Sequence, residues 1–207
     1  MDWTGVELVS WDLDGTLYDN DAFWTAFHCR VRSRLRFGQF WRTIQELWLL
    51  HRFRRWVAYE RRRGGCLGPK PAALNSDSAD VILDSWITGC IADAGRSDGV
   101  VDVMNALSSR GIRQVIVTDL RCMGKLEALE LPQCIEQVYE GETLGFIKPH
   151  HELFSIVLAD SRIRSEAVVH IGDRADTDAP AAQHHGIKCL LKGVDFTDFP
   201  SLFATLS

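Results

Sequence analysis

From residue 6 to residue 17 the chain reads VELVSWDLDGTL. The first half of this stretch is a short, mostly apolar strand candidate, and it ends in two aspartates, Asp12 and Asp14. Gly15 follows them and permits a sharp turn. Because two neighbouring carboxylates repel each other, the pair predicts a bound hard cation such as Mg²⁺ or a shared proton. It also suits a nucleophile beside an acid/base group.

The composition is that of a soluble protein with a sizeable core, because 46% of the 207 residues are apolar and 25% are charged. The six cysteines include no C-x-x-C pair, so they predict reduced, buried thiols and a cytoplasmic location. We find neither the pattern of a cleaved signal peptide nor a run of about 18 apolar residues. We therefore expect neither a secretory leader nor a membrane-spanning helix.

The chain downstream of residue 96 alternates between strand and helix patterns. We predict strands over 6–11, 112–117, 137–139, 167–171 and 188–191. We predict helices over 99–110 (with Asp98 as its cap), 122–130, 150–159, 176–185 and 198–206. This alternation predicts an α/β fold with a doubly wound, Rossmann-like parallel sheet, in which ligands bind beyond the carboxyl ends of the strands.

The region between the first strand and this alternation is different in character. Residues 22–63 and 79–94 have helical patterns, and residues 64–78 form a Gly- and Pro-rich loop. The apolar stripe expected to be buried in the first of these stretches consists of Phe40, Ile44, Leu47, Trp48 and Phe53. Residues 21–70 carry a net charge of +9, whereas the remainder carries −14, which indicates two regions with different roles.

Three further segments place polar side chains where a site is expected. Thr118-Asp119 and Gly172-Asp173 each follow a predicted strand, and Lys148-Pro149 precedes a predicted helix that Pro149 can start. Carboxylates, a hydroxyl and a lysine together suit a phosphoryl group, because the cations neutralise its oxygens while a carboxylate attacks.

These segments resemble the four ordered motifs of the haloacid dehalogenase superfamily. The matching residues are Asp12-Leu13-Asp14-Gly15-Thr16, Thr118, Lys148-Pro149 and the run from Gly172 to Asp178. The resemblance implies a Rossmann-like core at residues 1–18 and 96–207, with a helical cap inserted at residues 19–95.

The resemblance also implies a role for each motif residue. Asp12 would be the nucleophile that forms an aspartyl-phosphate, and Asp14 would be the general acid and then the base. Thr118, Asp119 and Lys148 would bind the substrate phosphate, and Lys148 would also hold the nucleophile. The implied Mg²⁺ set is Asp12, Asp14 (through its backbone carbonyl), Asp173 and Asp178, the last through water or by orienting the others.

The resemblance favours a Mg²⁺-dependent phosphatase acting on a small phosphorylated metabolite. The preference for phosphoester cleavage over halide displacement rests on Asp14, because an alkoxide leaving group needs a proton and a halide does not. Two alternatives stay open, a phosphosugar mutase and a non-catalytic binding module that uses the basic cap. The residue after Thr118 is Asp119, where many members of the superfamily carry asparagine.

The predicted cap contains five of the seven tryptophans and most of the arginines. We expect these aromatic side chains mainly to pack the cap, with the arginines on its solvated face. A basic surface that attracts an anionic substrate and one that contacts a membrane remain as other interpretations, and we expect no nucleic acid partner. The pairs His150-His151 and His184-His185 lack ligand spacing in the sequence and are expected at the surface.

Overall fold

The computed structural model describes residues 2–36 and 38–206. Its strands are β1 (Leu8–Trp11), β2 (Arg113–Thr118), β3 (Ile135–Glu140), β4 (Val168–Gly172) and β5 (Lys188–Leu191). Its helices are α1 (Asn20–Arg36), α2 (Phe40–Arg62), α3 (Asp77–Ala94), α4 (Val100–Ser109), α5 (Met123–Leu129), α6 (Gly141–Leu144), α7 (Glu152–Ser161), α8 (Asp178–Gln183) and α9 (Phe199–Ala204). Short 3-10 helices span Ala72–Leu74 and Ser165–Ala167.

The strands form one parallel sheet in the order β3-β2-β1-β4-β5, which confirms the predicted fold class. Strand β1 lies between β2 and β4, and its last residue, Trp11, pairs with Ile116 and Ile171. The residues that follow β1, β2 and β4 therefore emerge side by side at one edge of the sheet. Side chains alternate along buried β1, so Val9 and Trp11 pack beneath α4, α5 and α9, and Leu8 packs beneath α7 and α8.

Two residues that the sequence predicts at helix starts do not have that role in the structure. Asp98 is not the cap of α4, because Gly99 takes that position in a left-handed conformation with φ of 76°. A side chain at Gly99 would lie 2.8 Å from Pro200, so the close approach of α9 requires glycine there. Pro149 is not the first residue of a helix either, since α7 begins at Glu152.

Residues 20–94, here called the helical insertion, contain α1, α2 and α3. The predicted helical stretch 22–63 is two helices that are interrupted near Gly38, where φ is 75°, and Phe37 within it lies outside the described residues. The three helices pack around a second hydrophobic cluster. Its buried residues include Ala26, Leu50, Phe53, Trp56, Leu83 and Trp86. The domain boundaries at residues 19 and 95 stay a prediction.

The buried face of α2 matches the predicted apolar stripe only in part, because Phe53 is buried and Leu47 is half-buried. Phe40, Ile44 and Trp48 remain 44–50% exposed, whereas Glu46 is buried. Glu46 is accommodated because Arg34 and Arg42 form ion pairs with it and Trp86 Nε1 donates a hydrogen bond to it at 2.8 Å. A charged residue thus lies on the buried face of α2, at a position that the sequence pattern predicts to be exposed to solvent.

None of the described helices is long and apolar enough to cross a bilayer. All six cysteines are unpaired, as predicted. Cys90 and Cys122 are buried, but Cys29 and Cys66 are exposed because they lie on the outer face of α1 and in the loop after α2, so the expectation of burial was wrong for these two.

The helical insertion contacts the core next to Lys148. Arg61, at the end of α2, forms an ion pair with Asp119 at 2.6 Å and donates from Nε to the Lys148 carbonyl at 3.3 Å. Just beyond it, Ile147 N donates to the Gly65 carbonyl at 2.7 Å. A Cβ on Gly65 would lie 2.0 Å from the Ile147 carbonyl oxygen, so only glycine fits this crossing.

We predict that the Arg61–Asp119 pair contributes a coupling of about 1–2 kcal/mol to the free energy of unfolding, because both side chains are mostly removed from solvent. The measurement is a double-mutant cycle of Arg61→Ala and Asp119→Asn in urea. Arg113 and Glu136 form a matched surface pair at 2.7 Å with both side chains more than 40% exposed. Their coupling is expected to be about 0.5 kcal/mol or less, and an equal coupling at both pairs would contradict the prediction.

Candidate active site

The motif residues meet at the carboxyl edge of the sheet. Asp12 follows β1, Thr118 ends β2, and Asp173 follows β4. Lys148 reaches the same place from the loop before α7, and its ammonium lies 2.5 Å from Asp12 Oδ1. The fold thus brings together residues that are up to 161 positions apart in the sequence.

The Lys148 ammonium is enclosed by acceptors. Besides Asp12, it contacts Asp178 Oδ1 at 2.7 Å and donates to the Val117 carbonyl at 3.2 Å, and the side chain is almost fully buried. Burial alone would lower the pKa of Lys148, but the charges of Asp12 and Asp178 outweigh it and raise that pKa above its ordinary value. The ammonium is therefore a fixed positive charge beside the Asp12 carboxylate.

Asp12 is held at both carboxylate oxygens. Thr16 Oγ1 donates to Oδ2 at 3.2 Å, opposite the Lys148 contact on Oδ1. Burial nevertheless raises the pKa of Asp12 above its ordinary value, and the neighbouring carboxylates of Asp178 and Asp14 add to this rise. The buried site therefore has more negative charge than Lys148 offsets.

Asp14 has a partner that the sequence did not reveal. Lys125 on α5 contacts both Asp14 oxygens, at 2.6 and 2.8 Å, and Tyr18 donates its hydroxyl proton to Asp14 Oδ1 at 2.6 Å. Burial would raise the pKa of Asp14, but the charge and hydrogen bonds of Lys125 hold it below its ordinary value. The only hint of this partner in the sequence is a lysine in the first turn of the helix that follows Thr118. The sequence does not show that this lysine is buried, because its burial depends on the tertiary fold.

Asp173 provides an open ligand position. Its Oδ1 is buried and has no hydrogen-bond partner among the described residues, and burial raises the pKa of Asp173 to about 6. One oxygen each from Asp12, Asp173 and Asp178 lie within 4.8 Å of one another. An all-oxygen donor set fits a hard cation such as Mg²⁺. The carboxylates of this group and that of Asp14 make four, against the two ammonium groups of Lys125 and Lys148. When all four are ionised, two negative charges remain for the cation to offset.

Asp178 differs from the other carboxylates in this group. Its Oδ1 contacts Lys148, and its Oδ2 accepts from the Arg174 backbone N–H at 3.0 Å. His170 lies 3.4 Å from the same Oδ1. Protein donors therefore engage both Asp178 oxygens, and its predicted part in the metal site stays a prediction. Asp14 is predicted to bind the metal through its backbone carbonyl. The contact of its side chain with Lys125 does not conflict with that prediction.

Thr118 and Asp119 present contrasting arrangements. The Thr118 hydroxyl is buried and unpaired among the described residues, so it can donate to a ligand oxygen. Asp119 Oδ1 accepts from the Lys148 backbone N–H at 2.8 Å, and Oδ2 pairs with Arg61. Asp119 thus positions Lys148 through one oxygen and pairs with Arg61 through the other, and its predicted role in substrate binding stays a prediction.

The fold brings three of the four paired histidines together, which their spacing in the sequence did not predict. One nitrogen each from His151, His184 and His185 lie within 4.8 Å of one another. The His151 and His184 rings stack at 3.8 Å with an angle of 8° between their planes. The His185 ring lies at 67° to His151 and at 74° to His184, so only two of the three rings are parallel.

A cavity of about 640 Å³ opens over the carboxylates between the sheet edge and the helical insertion. Asp14, Lys125 and Asp173 line its inner end. The arrangement can therefore hold an anion beside a fixed carboxylate, with a second carboxylate and a cation within reach.

A family model described as haloacid dehalogenase-like hydrolase matches residues 6–186. Among curated proteins, the glyceraldehyde 3-phosphate phosphatase of Methanocaldococcus jannaschii is 28% identical over 90 residues. This match spans 42% of the present chain and 40% of that protein, less than half the length of the curated relative.

Solved structures of similar shape include the putative hydrolase YfnB of Bacillus subtilis bound to magnesium, with a TM-score of 0.67, 16% identity and coverage of 98% of this chain and 99% of that one. CbbY of Rhodobacter sphaeroides in complex with phosphate has a TM-score of 0.61, 19% identity and coverages of 90% and 86%. A 2-haloacid dehalogenase of Pseudomonas syringae has a TM-score of 0.60, 22% identity and coverages of 91% and 86%. At these identities the likeness concerns the fold, but the family match extends over all four motifs, and the chain belongs to the haloacid dehalogenase-like hydrolases.

Proposed function

We propose that the protein is a Mg²⁺-dependent phosphatase that hydrolyses a small phosphomonoester through an aspartyl-phosphate on Asp12. The observation that supports this proposal most directly is the Asp12 carboxylate, which Lys148 and Thr16 hold near a second carboxylate, Asp14, that lines an open cavity. The phosphatase of M. jannaschii and the phosphate complex of CbbY are consistent with this chemistry in related folds.

In the first step, an Asp12 carboxylate oxygen attacks phosphorus and the bond from phosphorus to the ester oxygen breaks. The leaving alkoxide takes a proton from Asp14. Since Lys125 stabilises the ionised form of Asp14, this step requires Asp14 to be protonated and separated from Lys125. Lys148 and the Thr118 hydroxyl offset negative charge that develops on the phosphoryl oxygens.

In the second step, Asp14 accepts a proton from water as the water oxygen attacks the phosphorus of the aspartyl-phosphate. The bond between phosphorus and the Asp12 oxygen breaks, which releases inorganic phosphate and restores the carboxylate. The ionised Asp14 beside Lys125 and Tyr18 suits this step, because it is already in the basic form.

The metal would be held by Asp12, by Asp173 and by the backbone carbonyl of Asp14. When bound, Mg²⁺ supplies charge neutralisation to the phosphoryl oxygens. The unpaired Asp173 oxygen and the excess of carboxylates over lysines support this assignment, and YfnB was solved with magnesium. Gly15 allows Asp173 to approach the β1 turn, since a Cβ there would lie 2.2 Å from Asp173 Oδ2.

Asp12→Asn is expected to reduce phosphate release from p-nitrophenyl phosphate by about a thousandfold or more, because the amide is a poor nucleophile. Asp176→Asn is the matched control, since Asp176 lies in the same motif but is exposed and pairs with Arg174 at 2.7 Å. Its activity should stay within about twofold of wild type.

A wild-type protein that is inactive on a broad panel of phosphoesters would contradict the phosphatase proposal and favour the non-catalytic binding module. Conversion of a sugar phosphate to its isomer without phosphate release would instead identify a mutase.

Asp14→Asn is expected to distinguish the two steps. The p-nitrophenolate group leaves without a proton, so rapid mixing should show a burst of about one equivalent followed by slow turnover. Alkyl phosphates need the proton and should give no burst. A burst of equal size with both substrates would contradict the proton-donor role of Asp14.

Asp173→Asn is expected to raise the Mg²⁺ concentration for half-maximal activity by about tenfold or more, because it removes an anionic ligand. Calorimetric titration with Mg²⁺ should show the same weakening without any substrate. Treatment of the wild type with EDTA should abolish activity, and added Mg²⁺ should restore it. Full activity after chelation would exclude the metal requirement.

A further inference from the structure

We infer that the substrate carries its phosphoryl group on an apolar or aromatic body, and that the helical insertion holds this body in the outer part of the cavity. The inference rests on the proposed phosphatase function and deepens it. It concerns the wall of the cavity that faces away from the motif residues.

The outer wall of the cavity is apolar on three helices. Trp24 and Phe27 of α1, Leu47 and Ala58 of α2, and Ile87 of α3 all line it. Each is only half-buried, although several belong to or pack against the core of the insertion. Apolar surface that remains open toward a cavity beside a reactive carboxylate is typical of a small-molecule site.

The cationic side chains of this wall are largely engaged or solvent-facing. The Arg54 guanidinium lies 4.5 Å from the Trp24 ring, and Arg61 pairs with Asp119. Arg55 and Arg62 are exposed. The half-buried part of the wall is therefore apolar, and most of its cations lie where solvent reaches them.

This wall distinguishes two chemical classes of substrate. A sugar hydroxyl buried here would lose its water partners, at a cost of about fivefold or more in affinity for each group left unpaired. A methylene buried here would gain about fourfold. The cavity of about 640 Å³ lies within the size range of small-molecule pockets.

The first test compares kcat/KM for n-alkyl monophosphates from ethyl to decyl with glucose 6-phosphate. The inference predicts a rise of about threefold or fourfold per methylene until the cavity is filled, with octyl phosphate at least about a hundredfold above glucose 6-phosphate. A flat series or a preference for the sugar phosphate would overturn the inference and leave the phosphatase proposal intact. Inactivity on every phosphoester would overturn both.

The second test fills the cavity with Ala58→Trp. This change should lower kcat/KM for octyl phosphate at least about tenfold more than for ethyl phosphate, because only the longer chain needs the outer volume. Gln45→Trp adds the same ring to an exposed position of α2 that does not line the cavity, and it should leave both values unchanged. An equal loss on both substrates with Ala58→Trp, at an unchanged melting temperature, would contradict the inference.

Discussion

The buried ammonium of Lys148 is the interaction on which the rest of the site depends. A positive charge that is almost fully removed from water is stable only with anions in contact, and Asp12 and Asp178 supply them from the ends of β1 and the segment after β4. The backbone N–H of Lys148 is fixed in turn by Asp119 after β2. Three adjacent strand ends are thus joined through one side chain, and the nucleophile candidate is oriented by the same contacts that hold the sheet edge together.

The sheet and the motif positions could be predicted from the sequence because both depend on local patterns. Short apolar segments followed by Asp12, Thr118 and Asp173 indicate strand ends, and parallel pairing places neighbouring strand ends at one edge. The alternation with helical patterns then determines the fold class. Helix starts were less predictable, as Gly99 shows, because its role depends on the approach of Pro200 from a remote part of the chain.

The remaining features could not be predicted because they depend on partners far away in the sequence. Lys125 resembles any helical lysine until α5 packs against the turn that carries Asp14, 111 residues earlier. The charge of Glu46 predicts a solvent-exposed position on α2. The residue is nevertheless buried, because Arg34 and Trp86 enclose it. In both cases a charged side chain is buried only because the opposite charge or a donor arrives through the tertiary fold.

The contact between Arg61 and Asp119 has an evolutionary consequence. Asp119 serves two parts of the molecule at once, since one oxygen holds Lys148 and the other holds the end of α2. A chimaera whose helical insertion carries an uncharged residue in place of Arg61 would leave that carboxylate without its cation. We therefore expect residues 61 and 119 to change together when homologous sequences are compared.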